Sequence, residues 1–224
     1  MGEFVSGRIR YLSKGVETGR EWFEMIDHGA GGRTLRALCE MDEFGLTRDV
    51  SMLLAPDGRP RDAFCRVMRH EERAGTTLFL CDEDGVECEG EIAALGRLSQ
   101  RKPVAGGTPY LGLHPLVGDA LVALARGTDA VGTYCTVHGI ANSVSANGDE
   151  GLHAMPTAID VAYCGKETVT VPAGTFATSR YALRWHPEWE PADLWVHGPE
   201  ALFIRMDWGM IAASYELVEL RRGR

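Results

Sequence analysis

Between Tyr181 and Trp208 the chain gathers the side chains best suited to chemistry: Tyr181, Trp185, His186, Trp189, Asp193, Trp195, His197 and Trp208. Four of its five tryptophans fall in this stretch. A histidine held in one tautomer by a carboxylate can act as a general base. Tryptophans supply flat apolar walls, and such walls with a few polar groups make a small-molecule pocket. Read as a strand, Phe176 to Trp185 puts Tyr181, Leu183 and Trp185 on one face, with Arg180, Ala182 and Arg184 on the other. In the next run Asp193, Trp195 and His197 alternate with Leu194 and Val196. One face is therefore expected to mix aromatics with a carboxylate and an imidazole. His186, His197, Asp193 and Tyr181 are the candidate catalytic residues, and Trp185 and Trp195 are candidate ligand contacts. The competing reading is a solvated polar face with tryptophans packed at its edge.

Two further residues stand out. Arg48 shares the alternation face of Val50, Met52 and Leu54. An arginine facing a core or cavity needs an anionic or hydrogen-bonding partner. It could hold a carboxylate, a phenolate or an oxyanion, or pair with an internal acid. His114 opens the best helical pattern, directly before Pro115, and would lie near the mouth of a sheet that the helix plugs. Both are candidate ligand-binding residues.

The sequence lacks the Gly-x-Ser-x-Gly, Walker and His-Glu-x-x-His patterns. The glycines at 29, 31 and 32 lie between strands, where a dinucleotide fingerprint would need a following helix. No two of the seven histidines are spaced as metal ligands in sequence. No cofactor and no metal are expected. The six cysteines include no Cys-x-x-Cys pair. No secretory signal is visible, so reduced thiols and a cytoplasmic address are expected. Gly2 followed by Ser6 matches the loose myristoylation pattern. A net charge of −9 repels phosphate backbones and argues against nucleic acid as a partner. No apolar run reaches the length of a membrane helix, and no membrane partner is expected. An unpaired sheet edge would offer a route to a homodimer.

The elements that must position these residues read mostly as strands. Period-two alternation predicts strands over Val5–Leu12, Trp22–His28, Arg33–Met41, Leu46–Leu54, Asp62–His70, Thr76–Cys81 and Val86–Ala94. Short turns such as Ala55-Pro56-Asp57-Gly58 join them into an antiparallel meander. A helix is expected over His114–Arg126, with Pro115 in its first turn and Gly127 as its stop. The glycine-rich stretch 139–156 reads as a long loop, either a lid or a mobile excursion. A second meander follows, over Ile159–Cys164, Glu167–Val171, Phe176–Trp185, Asp193–Val196, Leu202–Asp207 and Ile211–Leu220. With 224 residues, roughly 70% of the unfolded surface is buried on folding, enough for one core and one domain. The expected fold is mainly β: a strongly curved antiparallel meander, a half-barrel or open barrel, clasping one central helix.

The segment Tyr163-Cys164-Gly165-Lys166-Glu167-Thr168-Val169-Thr170-Val171-Pro172-Ala173-Gly174-Thr175-Phe176 resembles an uncharacterised bacterial family with a Gly-x-Glu…Val-Pro-Ala-Gly-x-Phe segment. That family is similar to the half-barrels of lipoprotein-localisation factors. The resemblance implies a curved sheet around a helix with an apolar cavity, and it brings no catalytic residues. Physically the segment is a strand–turn–strand device, with Pro172 ending one ladder and Gly174 supplying positive φ. Two functions are expected to compete with a structural or interaction role. One is binding of a small apolar or aromatic molecule in the cavity. The other adds cofactor-independent acid–base chemistry, as in a lyase, isomerase or hydrolase.

Overall fold

The computed structural model describes residues 3–223; Met1, Gly2 with its myristoylation pattern, and Arg224 lie outside them. Alternation does become a meander. β1 (Phe4–Ser13), β2 (Val16–Asp27), β3 (Arg33–Met41), β4 (Leu46–Leu54), β5 (Pro60–Arg69), β6 (Glu72–Cys81), β7 (Gly85–Ile92) and β8 (Gly96–Pro103) each pair antiparallel with the next. After the two-residue β9 (Leu111–Gly112) and a helical segment come β10 (Tyr134–Ala141), β11 (Met155–Val171), β12 (Gly174–Arg184), β13 (Ala192–His197), β14 (Leu202–Trp208) and β15 (Ala213–Gly223). β15 pairs with β1. The two meanders thus join at the chain ends into one sheet with the order β8-β7-β6-β5-β4-β3-β2-β1-β15-β14-β13-β12-β11-β10-β9. β9 and β10 run parallel, the one such pair among the described residues.

The sheet is open and curved, and it is buried on its concave face. Alternate residues from successive strands, among them Ile9, Leu35, Phe79, Val161, Phe203 and Leu217, are fully buried there. The helical segment packs into this concavity as α1 (Leu116–Asp119) and α2 (Val122–Arg126). It starts two residues later than the pattern predicts. His114 sits at φ 70° and Pro115 is extended, so neither can join the helix. The middle tightens because Leu121, Ala123 and Leu124 donate to carbonyls three residues back, at 3.0–3.1 Å. Gly127 stops it at φ 71° as expected.

Four differences from the sequence reading have physical causes. β8 is almost wholly polar, as suits an edge strand, and so carries no apolar alternation to read in the sequence. β10 is exposed over its first half, which hides its pattern too. Residues 159–171 form part of one 17-residue strand rather than two, with the register shifting between Tyr163 and Gly165. That bulge uses Gly165 at φ 113°. β2 begins at Val16, not Trp22, which matters for the site described next. The Val171-Pro172-Ala173-Gly174 segment is the tight β11–β12 turn, Val171 pairing with Gly174 at φ 139°.

Candidate functional site

The end of the concave face between the helix and β12–β15 is not filled. A cavity of about 300 Å³ remains there, at the small end of the roughly 300–1,000 Å³ range of ligand pockets. Its aromatic wall comes from Trp185, Trp189, Trp208, Tyr215, Tyr11 and Tyr110. Trp185 and Trp208 lie 4.7 Å apart between ring centroids, and Tyr11 meets Tyr215 edge-on at 5.2 Å. Arg48, His114 and Asp119 line it as well. A wider depression of about 510 Å³ crosses the outer face, but charged side chains such as Arg8, Glu24, Arg36 and Asp49 rim it.

Each polar group reaches the cavity for a local reason. Arg48 alternates with Leu46, Val50, Met52 and Leu54, all buried, so β4 turns its guanidinium inward. Arg48 is 1% exposed. Its Nη2 donates to Asn147 O, its Nε has no partner, and it forms no ion pair among the described residues. Asn147 belongs to the loop after β10, which folds back across the concavity with Asn142, Ser143, Leu152 and Ala154 buried. Asp149 fastens this strap to Arg69 at 3.2 Å. His114 holds its base, Nε2 lying 3.2 Å from Ser143 O. Burial, followed by the charge of Arg48, pulls the His114 imidazole down to about 4, so it is neutral at pH 7. Its positive φ is costly for a residue other than glycine, and such strain concentrates at functional sites.

Asp119 ends α1 with its carboxyl on the cavity wall, where Tyr110 Oη donates to Oδ1 at 3.1 Å. Burial pushes it up to about 7, helped by the charge of Glu21 and opposed by the Tyr110 bond and Arg48. Burial likewise raises Tyr110 well above the usual phenol range. Glu21, fully buried on β2, joins sheet to helix. It accepts from Leu116 N at 2.7 Å, Val117 N at 3.0 Å and Tyr11 Oη at 2.8 Å. Burial raises its carboxyl, and these hydrogen bonds pull it back. Glu21, Asp119, Tyr110, Tyr11 and Tyr215 were not among the sequence candidates. Glu21 carried a readable signal, because Gly19, Glu21, Phe23 and Met25 alternate on the buried face of β2.

Of the sequence candidates, Arg48, His114, Trp185 and His186 line the cavity, with His186 exposed at its rim beside Trp189. Tyr181 is buried against Tyr163 at 5.4 Å, away from the lining. The expected mixed face does not form. Leu194 and Val196 point into the core, which sends Asp193, Trp195 and His197 to the outer face. There Asp193 pairs with Arg180 at 2.9 Å, and Trp195 lies under Arg180 and Arg205. His197 Nδ1 meets Ala177 O at 2.7 Å. The hydrophobic effect decides the orientation, since two aliphatic side chains outweigh a half-buried tryptophan.

Among the described residues no group of three or more His, Cys, Asp or Glu could hold a metal ion. No helix is long and apolar enough to cross a membrane among the described residues. The fold is of the β-barrel-like class, an open curved sheet around a short helix. No family model and no curated protein matches the sequence. Among solved structures, the chain is similar to a β-barrel-like protein of the domain of unknown function DUF1849 from Brucella abortus. The identity is 11% and the TM-score 0.58, over 100% of this chain and 98% of that one. A DUF1089 family protein from Pseudomonas aeruginosa aligns over 90% of each chain at 15% identity and a TM-score of 0.45. The first likeness shows the fold alone.

Proposed function

We propose that the protein binds a small apolar or aromatic molecule in the cavity between the helix and β12–β15. One observation carries this reading: a cavity of about 300 Å³ walled by three tryptophans and three tyrosines, set against the buried core of the sheet. Cores do not normally leave such space. At ~30 Å³ per water it holds about ten water volumes, room for a ligand of on the order of ten to fifteen non-hydrogen atoms.

The test is a titration with phenolic, terpenoid and fatty-acid ligands, followed by tryptophan fluorescence in the wild type and in Trp185→Phe and Trp195→Phe. Saturable quenching that shrinks in Trp185→Phe and persists in Trp195→Phe supports the pocket. Quenching lost equally in both variants, or no response across the panel, counts against it.

A second reading adds chemistry at the same place. A carboxyl held near neutrality and hydrogen-bonded to a tyrosine is suited to proton transfer at pH 7. In this reading Asp119 exchanges the proton while neutral His114 donates or accepts a hydrogen bond, as in a cofactor-independent lyase, isomerase or hydrolase. Mass spectrometry of each bound ligand after incubation separates the two readings, since a turned-over ligand changes mass or fragmentation and a bound one does not.

A further inference from the structure

Two arginines of this protein, Arg48 and Arg126, are buried, and their surroundings differ sharply. Arg126, on α2, is 6% exposed and fully engaged. Its guanidinium reaches Val161 O at 2.9 Å, Asp129 Oδ1 and Asp129 O each at 3.0 Å, and Thr133 O at 3.0 Å. Arg48 is buried more deeply still, yet has the single acceptor Asn147 O. No carboxylate lies within ion-pair reach among the described residues, and Nε is buried without a partner. A desolvated cation is costly unless an anion and several acceptors surround it. Its neighbours across the sheet, Cys39 and Val67, cannot help. Glu21, two strands away on the same face, is committed to the helix.

The backbone over Arg48 is built to lie close. Gly148 has φ 67°, and a Cβ there would come within 2.5 Å of both Arg48 Nη2 and His114 Cγ. The strap therefore covers the guanidinium with a bare backbone and lends it a carbonyl. Arg48, His114, Ser145 and Asn147 all line the same cavity as the aromatic wall.

We propose that the molecule taken by this cavity is a carboxylic acid: its carboxylate pairs with Arg48 in place of the Asn147 carbonyl, and its apolar body lies against Trp185, Trp208 and Tyr215. The inference rests on the pocket reading above and adds the ligand's charge. Arginine matches a carboxylate with two parallel N–H donors. His114 is neutral and so does not compete for the anion. The aromatic wall and the volume suit an aryl-alkanoic acid better than a long-chain fatty acid.

The test is calorimetric titration with 4-phenylbutanoic acid and its isosteric amide, 4-phenylbutanamide, on the wild type, Arg48→Lys and Arg48→Met at pH 6. The wild type is expected to bind the acid about 10- to 100-fold more tightly than the amide, the range for a charged hydrogen-bonded pair. Arg48→Met should bring the acid down to the amide's affinity while leaving the amide unchanged, and Arg48→Lys should retain part of the preference. Equal binding of acid and amide by the wild type would overturn the carboxylate assignment and leave the pocket reading standing. That comparison needs no variant to fold. Failure of both probes, together with a silent fluorescence panel, would overturn the pocket reading itself and this inference with it.

Discussion

Asp119→Asn should make the protein more stable at pH 8 and leave it almost unchanged at pH 4. The Asp119 carboxyl is pushed up to about 7 by burial in the cavity wall, whereas in the unfolded chain it titrates near its ordinary ~3.9. Below that value both states are protonated and the group contributes nothing to the pH dependence. As pH rises from about 4 to 7 the unfolded chain loses its proton and the folded one keeps it, so stability falls and then levels off. A window of about three pH units at ~1.4 kcal/mol each sets an upper figure of about 4 kcal/mol, which solvent screening at the cavity mouth lowers to roughly 2–4. The asparagine of the variant cannot titrate and can still accept from Tyr110, so its advantage over the wild type should grow by that amount across the window. His114 runs the opposite way. Its imidazole is held down to about 4, so the unfolded chain gains a proton first as pH falls below ~6.5. Stability is lost from there down to about pH 4. In the wild type the two slopes largely cancel between pH 4 and 6.5, and Asp119→Asn should expose the His114 slope as a rise with pH. Urea unfolding at half-unit pH steps, with m compared between variants, measures it. A constant difference between Asp119→Asn and wild type at every pH would refute the assignment of a raised carboxyl to the cavity wall.

Glu21→Gln should cost about 1–3 kcal/mol, because the new amide N–H faces a backbone donor of α1 that then goes unpaired. A Tm lowered by roughly 3–10 °C in calorimetry is the expected result for a chain of this size. Gly148→Ala forces a side chain into φ 67° against Arg48 and His114, so a loss of about 1–2 kcal/mol in urea unfolding is expected. Asp193→Ala removes only a half-exposed outer-face pair with Arg180. Its stability should stay within ~0.5 kcal/mol of wild type, with ligand-induced quenching unchanged.

The sheet was legible because alternation and turn residues report local backbone state, and strands in unbroken antiparallel succession leave few topologies. Arg48 was legible for the same reason, as a charge on an otherwise apolar face. Glu21 offers the identical signal, but it falls outside a second strand read from Trp22, whereas β2 begins at Val16. The tryptophan-rich stretch shows the opposite limit. Alternation states which residues of β13 share a face, but the choice of inside was decided by Leu194 and Val196 rather than by the residues with chemical appeal. Trp185 and Trp208 meet only because β12 and β14 bring their ends together. Asp119 and Tyr110 were beyond reach, since a lone carboxylate in a helical run and a tyrosine in a glycine-rich connection acquire meaning only when the helix docks into the sheet.

The five indole N–H groups offer the most direct test of the cavity as the binding site. Trp185, Trp189 and Trp208 line it, while Trp195 and Trp22 lie on the outer face. A ¹⁵N correlation spectrum of the indoles, assigned by single Trp→Phe variants, should show the signals of Trp185, Trp189 and Trp208 shifting together as 4-phenylbutanoic acid is added. Those of Trp22 and Trp195 should stay in place. Shifts confined to Trp22 or Trp195, or no signal moving at saturating ligand, would contradict the account.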